Sequence, residues 1–504
     1  MKTQSTRSAW WNTWGELLLP IVIALIFLAF TFSYYPFREK LQFDSDEGLN
    51  LMRSMLVTLG YPLYREVSSD QPPLLTHLLA LLFRVTGFDV NPARMLILLF
   101  STLLVWAATQ FLQLTSGKLA AISFLPLVLI VPQFLRLSTS VMIGVPSIAL
   151  AMAAMLFVVL WHQKRRGFWL VLSGFALALS MLTKLFTGFI APILLAGMTI
   201  SAYLESRHES FSWKILHPAI LWSISFASLG IVLGLVLVGP QNLTAITAPH
   251  LAAPVTEELG GAAYTMNSHL QAAVPLVLLG SFGALFMIYR RNWLALYPIA
   301  WAALAYVLFS FYSPVFYHHQ LLITIPLTML AAAAVGEGIS SLTRMRVSSD
   351  LVRLQTLLGV VAVIGFAVVF SHYLPGLDRD LMNSPRLTDF SLRATAGKLR
   401  VIRTMNEYVD QTNWIVTDMP MYAFRVQRPV PPNLATFSSK RLATGSLTEE
   451  DILTAMREYR PEQVLMARFE IPALEAYLKN HYTLILSVEF FRLFLRNDLQ
   501  PTAK

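Results

Sequence analysis

The chain has 504 residues, 55% of them apolar and only 13% charged. Soluble domains carry about 25% charge, so this balance excludes an ordinary soluble enzyme and predicts a polytopic membrane protein. There is no cysteine, which excludes disulfides, iron–sulfur clusters and thiol catalysis. The net charge of +9 is explained by basic loops between apolar runs, and no nucleic-acid partner is expected.

Met1 to Glu16 contains Lys2, Arg7 and three Trp residues without a small-residue cleavage pattern. The first apolar run therefore reads as a retained anchor. Runs of spanning length follow near 17–35, 93–114, 118–136, 144–162, 168–184, 185–203, 217–239, 270–289, 293–311, 318–340 and 355–371. That is about eleven spans at roughly 20 residues each. With the N-terminus cytoplasmic, one side collects Lys118, Lys164–Arg166, Arg207, Lys214, Arg290, Arg291, Arg344, Arg346 and Arg353, the positive-inside pattern. The odd count then places residues 372–504 on the extracytoplasmic side of the plasma or inner membrane, after a transmembrane module of residues 1–371.

Three pieces fall on that outer side: a first loop of residues 36–92, a second from Gln241 to His269, and the tail. In the first loop, Glu47–Leu59 and Pro73–Val85 read as amphipathic helices suited to the membrane interface. The tail has soluble composition. Ile415–Thr417, Gln463–Met466 and Tyr482–Leu486 read as strands, and Thr448 before Glu449, Glu450 and Asp451 reads as a helix start. The expected fold is a polytopic α-helical membrane protein with an extracytoplasmic α/β domain.

The first loop opens with Asp44-Ser45-Asp46-Glu47-Gly48. Interfaces favour Trp, Tyr, Lys and Arg, so three carboxylates there call for another explanation: a reactive site, or Asp44 or Asp46 capping the following helix. Lys184 lies between two apolar runs, where a charge must reach water or an anion; it either snorkels or binds a phosphate. His318 and His319 open the tenth run and either bind phosphate or sugar or sit at the interface. Adjacent residues do not share a helix face, so they do not form a two-His metal site. Arg136 is a phosphate contact or an interfacial Arg, and Asp418 is a ligand at a strand end or a turn residue. No phosphate-binding Gly-rich loop, Walker-type sequence or zinc-spaced cluster occurs.

Asp46-Glu47, Gly60 with Tyr64 and Pro72-Pro73 occur in that order within one loop. This set resembles the protein O-mannosyltransferase and aminoarabinose-transferase superfamily, membrane glycosyltransferases of the GT-C architecture that use lipid-linked sugars. The resemblance implies a GT-C-like module in which Asp46 is the general base and Glu47 orients it or binds the acceptor. It implies substrate-binding positions at Asp44, Tyr64, Arg94, Lys184, His318 and His319. The partners implied are a polyprenyl-phosphate sugar donor, membrane lipid and an extracytoplasmic lipid, polysaccharide or protein acceptor. Many relatives carry a carboxylate shortly before the proline of Gly144-Val145-Pro146; this chain has Gly144. No metal ligands are assigned, and a divalent cation is the one cofactor candidate. Deprotonating an acceptor and stabilising an oxocarbenium-like centre suits a carboxylate, and the departing phosphate needs cations or donors. The alternatives are a transporter or flippase, which would place ionisable groups at the midplane, and a membrane scaffold with an outer sensing domain.

Overall fold

The apolar runs fold mainly as helices, because a chain segment in lipid must satisfy its backbone internally. The computed structural model describes residues 4–205, 213, 215–242, 261–343, 350–382 and 393–499. Within them the bundle comprises α1 (Gln4–Tyr34), α2 (Ser45–Thr58), α3 (Leu74–Thr86), α4 (Val90–Ser116), α5 (Lys118–Leu129), α6 (Phe134–Leu137), α7 (Gly144–Lys164) and α8 (Phe168–Thr183). It continues with α9 (Ile190–Glu205), α10 (His217–Leu237), α11 (Ala262–Gln271), α12 (Val274–Tyr289), α13 (Leu296–Phe311), α14 (Leu321–Thr343) and α15 (Asp350–Met382). Arg207, Lys214, Arg344, Arg346 and residues 243–260 of the second outer loop lie outside the described residues.

Among the described residues, seven helices are long and apolar enough to cross a membrane, and α11 with α12 form an eighth only if a 98° bend is allowed. The runs at 17–35, 118–136 and 168–184 give shorter apolar helices. The expected straight span at 118–136 is broken: α5 ends at Leu129, Pro132 follows, and Gln133 takes φ 66° before α6. Proline restricts the residue before it and cannot donate to a helix. The bend at 272–273 precedes Pro275 for the same reason.

Hydrogen bonds gather the basic loops at one end of the bundle. Asn292 donates to the Thr115 carbonyl at 2.9 Å, Arg290 to Gln355 at 2.7 Å, and Arg165 pairs with Glu205. At the opposite end sit α2, α3 and the tail. There α2 is not the expected interfacial helix. Residues 47–56 are all buried, because α17 (Pro420–Arg425), after α16 (Arg393–Glu407), packs onto it. The contact depends on glycine: a Cβ on Gly48 would lie 2.6 Å from the Met421 amide nitrogen. By contrast α3 leaves Leu81 and Val85 exposed, an apolar surface suited to the interface.

The tail carries a four-stranded sheet, β1 (Ile415–Thr417), β2 (Gln463–Met466), β3 (Tyr482–Val488) and β4 (Phe491–Arg496), in the order β1-β2-β4-β3. β1 and β2 are parallel, and β4 is antiparallel to both neighbours, with a bulge between Leu484 and Leu486. Three strands fall where the sequence predicts them; β4 was not anticipated. Thr448 and Asp451 form a capping box at the start of α19 (Glu449–Tyr459), which follows α18 (Ser439–Ala443). One face of the sheet shares a core with α2, α3 and the start of α4 through Met52, Leu79, Met421, Phe424 and Leu493. The helix α15 runs past residue 371 to Met382, so the expected module boundary falls inside a helix.

Candidate active site

The acidic cluster is the first turn of α2, and its three carboxylates do three different things. Asp44 is the N-cap: in extended conformation, its Oδ1 accepts from the Asp46 amide at 2.9 Å. Its Oδ2 accepts from the Tyr317 hydroxyl at 2.8 Å, tying α2 to the segment that carries the histidines. Glu47 faces away from Asp46 and into the protein. Its two oxygens receive the Arg94 guanidinium at 2.8 Å each, both side chains being fully buried. They also accept from the amides of Phe43 and Val141, while Arg94 spends its remaining donors on the carbonyls of Phe37, Lys40 and Leu41.

Asp46 lines a cavity of about 200 Å³ between the bundle and the tail. Asn50 and Arg53 line it too, since positions four and seven residues on share the face of a helix. Arg53 is held by the Leu49 carbonyl, the Ser69 hydroxyl and Asn50 Oδ1. Lys184, His318 and His319 form the bundle side, and Lys440 and Arg468 come from the tail. Asp70 also lines the cavity and pairs with Lys440 at 3.2 Å.

Lys184 ends α8 in extended conformation and is 5% exposed. It makes no ion pair among the described residues, and its Nζ sits 5.6 Å from the Phe186 ring centroid. A buried, unpaired ammonium is costly, and an anion in the cavity would offset that cost. The neighbouring His318 and His319 rings lie 4.5 Å apart, edge to face. His319 Nδ1 accepts from the Phe316 amide at 3.2 Å.

Burial pushes the Asp46 carboxyl up from its ordinary 3.8 to about 6. The Asp44 and Asp70 charges add to the rise, while Arg53 and Lys184 oppose it. A carboxylate poised near neutrality takes a proton more readily than a free aspartate. Among the described residues no group of three or more His, Cys, Asp or Glu side chains gathers as a metal site. A Cβ at Gly144, on the cavity wall, would meet nothing within 4 Å, so the position opens onto free space.

Of the residues singled out from sequence, Asp46, Lys184, His318 and His319 converge on the cavity, and Asp44 braces its wall. Glu47 and Arg94 stand behind it as each other's partner. Tyr64, at φ 69°, donates to the Gln71 carbonyl at 2.6 Å and lies outside this cavity. Arg136 donates to the Phe43 carbonyl and sits 5.4 Å from the Tyr317 ring centroid, a brace in the wall. Asp418 accepts from the amides of Ala467, Arg468 and Phe469, fixing the turn that brings Arg468 to the cavity. Arg53, Asp70, Lys440 and Arg468 were not picked out from sequence as site residues. The helical spacing from Asp46 signals Arg53, whereas the tail residues arrive through tertiary packing alone.

Residues 70–237 match the sequence model of the family described as dolichyl-phosphate-mannose-protein mannosyltransferase. No curated protein matches the sequence. ArnT from Cupriavidus metallidurans, solved bound to undecaprenyl phosphate, is similar in fold with a TM-score of 0.62 at 14% identity, covering 95% of this chain and 98% of that one. The apo Archaeoglobus fulgidus oligosaccharyltransferase gives 0.56 at 14% identity, over 91% of this chain and 70% of that one. AglB from the same organism, in complex with an inhibitory peptide and a dolichol-phosphate, gives 0.53 at 12% identity, again over 91% and 70%. The chain thus has the fold of GT-C membrane glycosyltransferases and resembles the protein O-mannosyltransferase and aminoarabinose-transferase superfamily.

Proposed function

We propose that the protein transfers a hexosyl or pentosyl group from a polyprenyl-phosphate donor to an extracytoplasmic hydroxyl acceptor, with Asp46 as general base. The observation that carries this reading is the juxtaposition of Asp46, its pKa near 6, with the buried Lys184 and the His318–His319 pair in one cavity. The donor phosphate sits against Lys184 and the histidines. Asp46 takes the acceptor's proton as its oxygen attacks the anomeric carbon from the opposite face. The anomeric C–O bond to phosphate breaks, a new glycosidic bond forms with inversion, and polyprenyl phosphate departs with the electron pair. Asp44, through Tyr317, holds the two sides of the cavity in register, and the Glu47–Arg94 pair anchors α2 beneath Asp46.

The lipid phosphates in the ArnT and AglB structures support a lipid-linked donor. The positive-inside pattern supports a cytoplasmic N-terminus and an outer-face tail, the tail being at the bundle end opposite the basic loops. The test is transfer from radiolabelled polyprenyl-phosphate sugars in proteoliposomes, comparing wild type with Asp46→Asn. A loss of about 10³-fold or more is expected from removing the base in an otherwise intact cavity. Undiminished transfer by the variant refutes the assignment.

A further inference from the structure

The tail reaches the site by more than the residues that line the cavity. Arg425 ends α17 and points back to the segment between α1 and α2. There its Nη2 donates to the carbonyls of Lys40 at 2.7 Å and Leu41 at 3.0 Å. Arg94 donates to the same two carbonyls from the bundle, at 2.8 and 3.4 Å. A carbonyl oxygen has two lone pairs, and here each oxygen takes one arginine from the bundle and one from the tail. Burial and the Arg94 charge push the Arg425 guanidinium down to about 10, with Glu47 and Asp89 opposing, so it stays charged at neutral pH beside a like charge. Its Nε is buried without a partner. Two like charges drawn together, with a donor left unmatched, are a poor way to attach a domain. Attachment is already supplied by the apolar core around Met421 and Phe424, by Thr436 donating to the Ser68 carbonyl at 2.7 Å, and by Lys440 with Asp70.

What the two arginines grip is the approach to α2. Just beyond Leu41, the Gln42 side chain donates to the Asp44 carbonyl at 2.7 Å and the Phe43 amide donates to Glu47 at 2.9 Å. Asp44 in turn caps the Asp46 amide at 2.9 Å. Covalent and hydrogen bonds thus run without a gap from Arg425 to the turn that carries Asp46. We propose that Arg425 is a positioning residue for transfer: by fixing the Lys40 and Leu41 carbonyls from the tail, it sets the entry of α2 and with it the aim of Asp46 into the cavity. The inference rests on the glycosyl-transfer reading and adds that the tail is a working part of the site. A base that is slightly misplaced loses rate while substrate affinity persists, so the effect falls on kcat. Both bonds leave from one nitrogen, so an ammonium with three donors can stand in for it, whereas an uncharged stem cannot.

Arg425→Met and Arg425→Lys are compared with wild type as full-length protein in proteoliposomes. Transfer is followed from a radiolabelled polyprenyl-phosphate hexose or pentose to whichever of a methyl hexopyranoside and a serine/threonine-rich peptide wild type uses. Arg425→Met is expected to lower kcat about 10-fold with the donor KM within about twofold, and Arg425→Lys to recover kcat to within about threefold of wild type. The rising limb of kcat/KM against pH is expected to move in Arg425→Met from about 6 toward 3.8, since a loosened α2 lets water reach the carboxylate. Hydrogen exchange at the Phe43, Asp46 and Glu47 amides is expected to quicken about 10-fold in Arg425→Met, with β1 and β2 of the tail unchanged. Unaltered exchange at those three amides overturns the clamp whatever the activity. Faster exchange there with unaltered kcat and pH limb, or with β1 and β2 loosened as well, overturns the positioning role in favour of a purely structural one. Wild type that transfers from neither donor overturns the glycosyl-transfer reading and the positioning role with it, while the exchange result still decides the clamp.

Discussion

Replacing Arg94 by Met keeps the side-chain stem and deletes a guanidinium that is fully buried and saturated. It contacts both oxygens of Glu47 at 2.8 Å and the carbonyls of Phe37 and Lys40 at 2.6 and 2.8 Å. The variant leaves the Glu47 carboxylate at 0% exposure with only two amide donors. Breaking a buried pair from one side costs about 3–5 kcal/mol. The double variant Glu47→Gln/Arg94→Met removes the stranded charge, and the coupling should recover about 2 kcal/mol or more. Thermal unfolding of the detergent-solubilised protein should rank wild type above the double variant and the double variant above Arg94→Met. Transfer activity discriminates further. If Glu47 acts only by anchoring α2, the double variant regains activity along with stability. Arg94→Met as stable as wild type refutes the energetic reasoning. A stable double variant that stays inactive refutes the anchoring role and makes Glu47 a participant.

Because the Asp46 carboxyl rises from 3.8 to about 6, kcat/KM should climb with pH through about 6 and then level, a limb absent from the residual activity of Asp46→Asn. The sign for stability is opposite: folded protein holds this proton more tightly, so stability from Asp46 falls between pH 3.8 and about 6. At ~1.4 kcal/mol per pKa unit the ionised group costs ~3 kcal/mol, and Asp46→Asn should unfold at a higher temperature than wild type at pH 7. Lys184→Met removes a buried charge, so it should match or exceed wild-type stability while raising the donor KM about 10-fold or more; an unaltered KM refutes the phosphate contact. Gly48→Ala forces the Met421 backbone away from α2; limited proteolysis should then cleave the tail faster, with transfer reduced about 10-fold, and an unchanged digestion pattern refutes that packing.

The bundle was legible because lipid imposes long apolar helices and basic loops sort to one side. The strands of β1, β2 and β3 were legible as short apolar runs between polar turns. β4 hides in Phe491–Arg496, where two arginines interrupt the run and pairing to β2 and β3 decides the outcome. At the site, Asp46 and Lys184 stood out because charges beside apolar runs are anomalous. The split between Asp46 and Glu47 was not legible, since neighbours on a helix point about 100° apart and only the position of Arg94 says which one is buried. Lys440 and Arg468 lie more than 360 residues from Asp46, and no local pattern links them to it.

The central claim is that the protein breaks a sugar–phosphate bond with Asp46 as the base, rather than carrying an intact lipid across the membrane. Its most direct measurement is mass-spectrometric release of free polyprenyl phosphate from a sugar-loaded donor in proteoliposomes, with and without acceptor, for wild type and Asp46→Asn. Acceptor-dependent release by wild type, lost in the variant, is the expected result. Movement of intact donor between leaflets without release, or release that is equal in both proteins, contradicts the account.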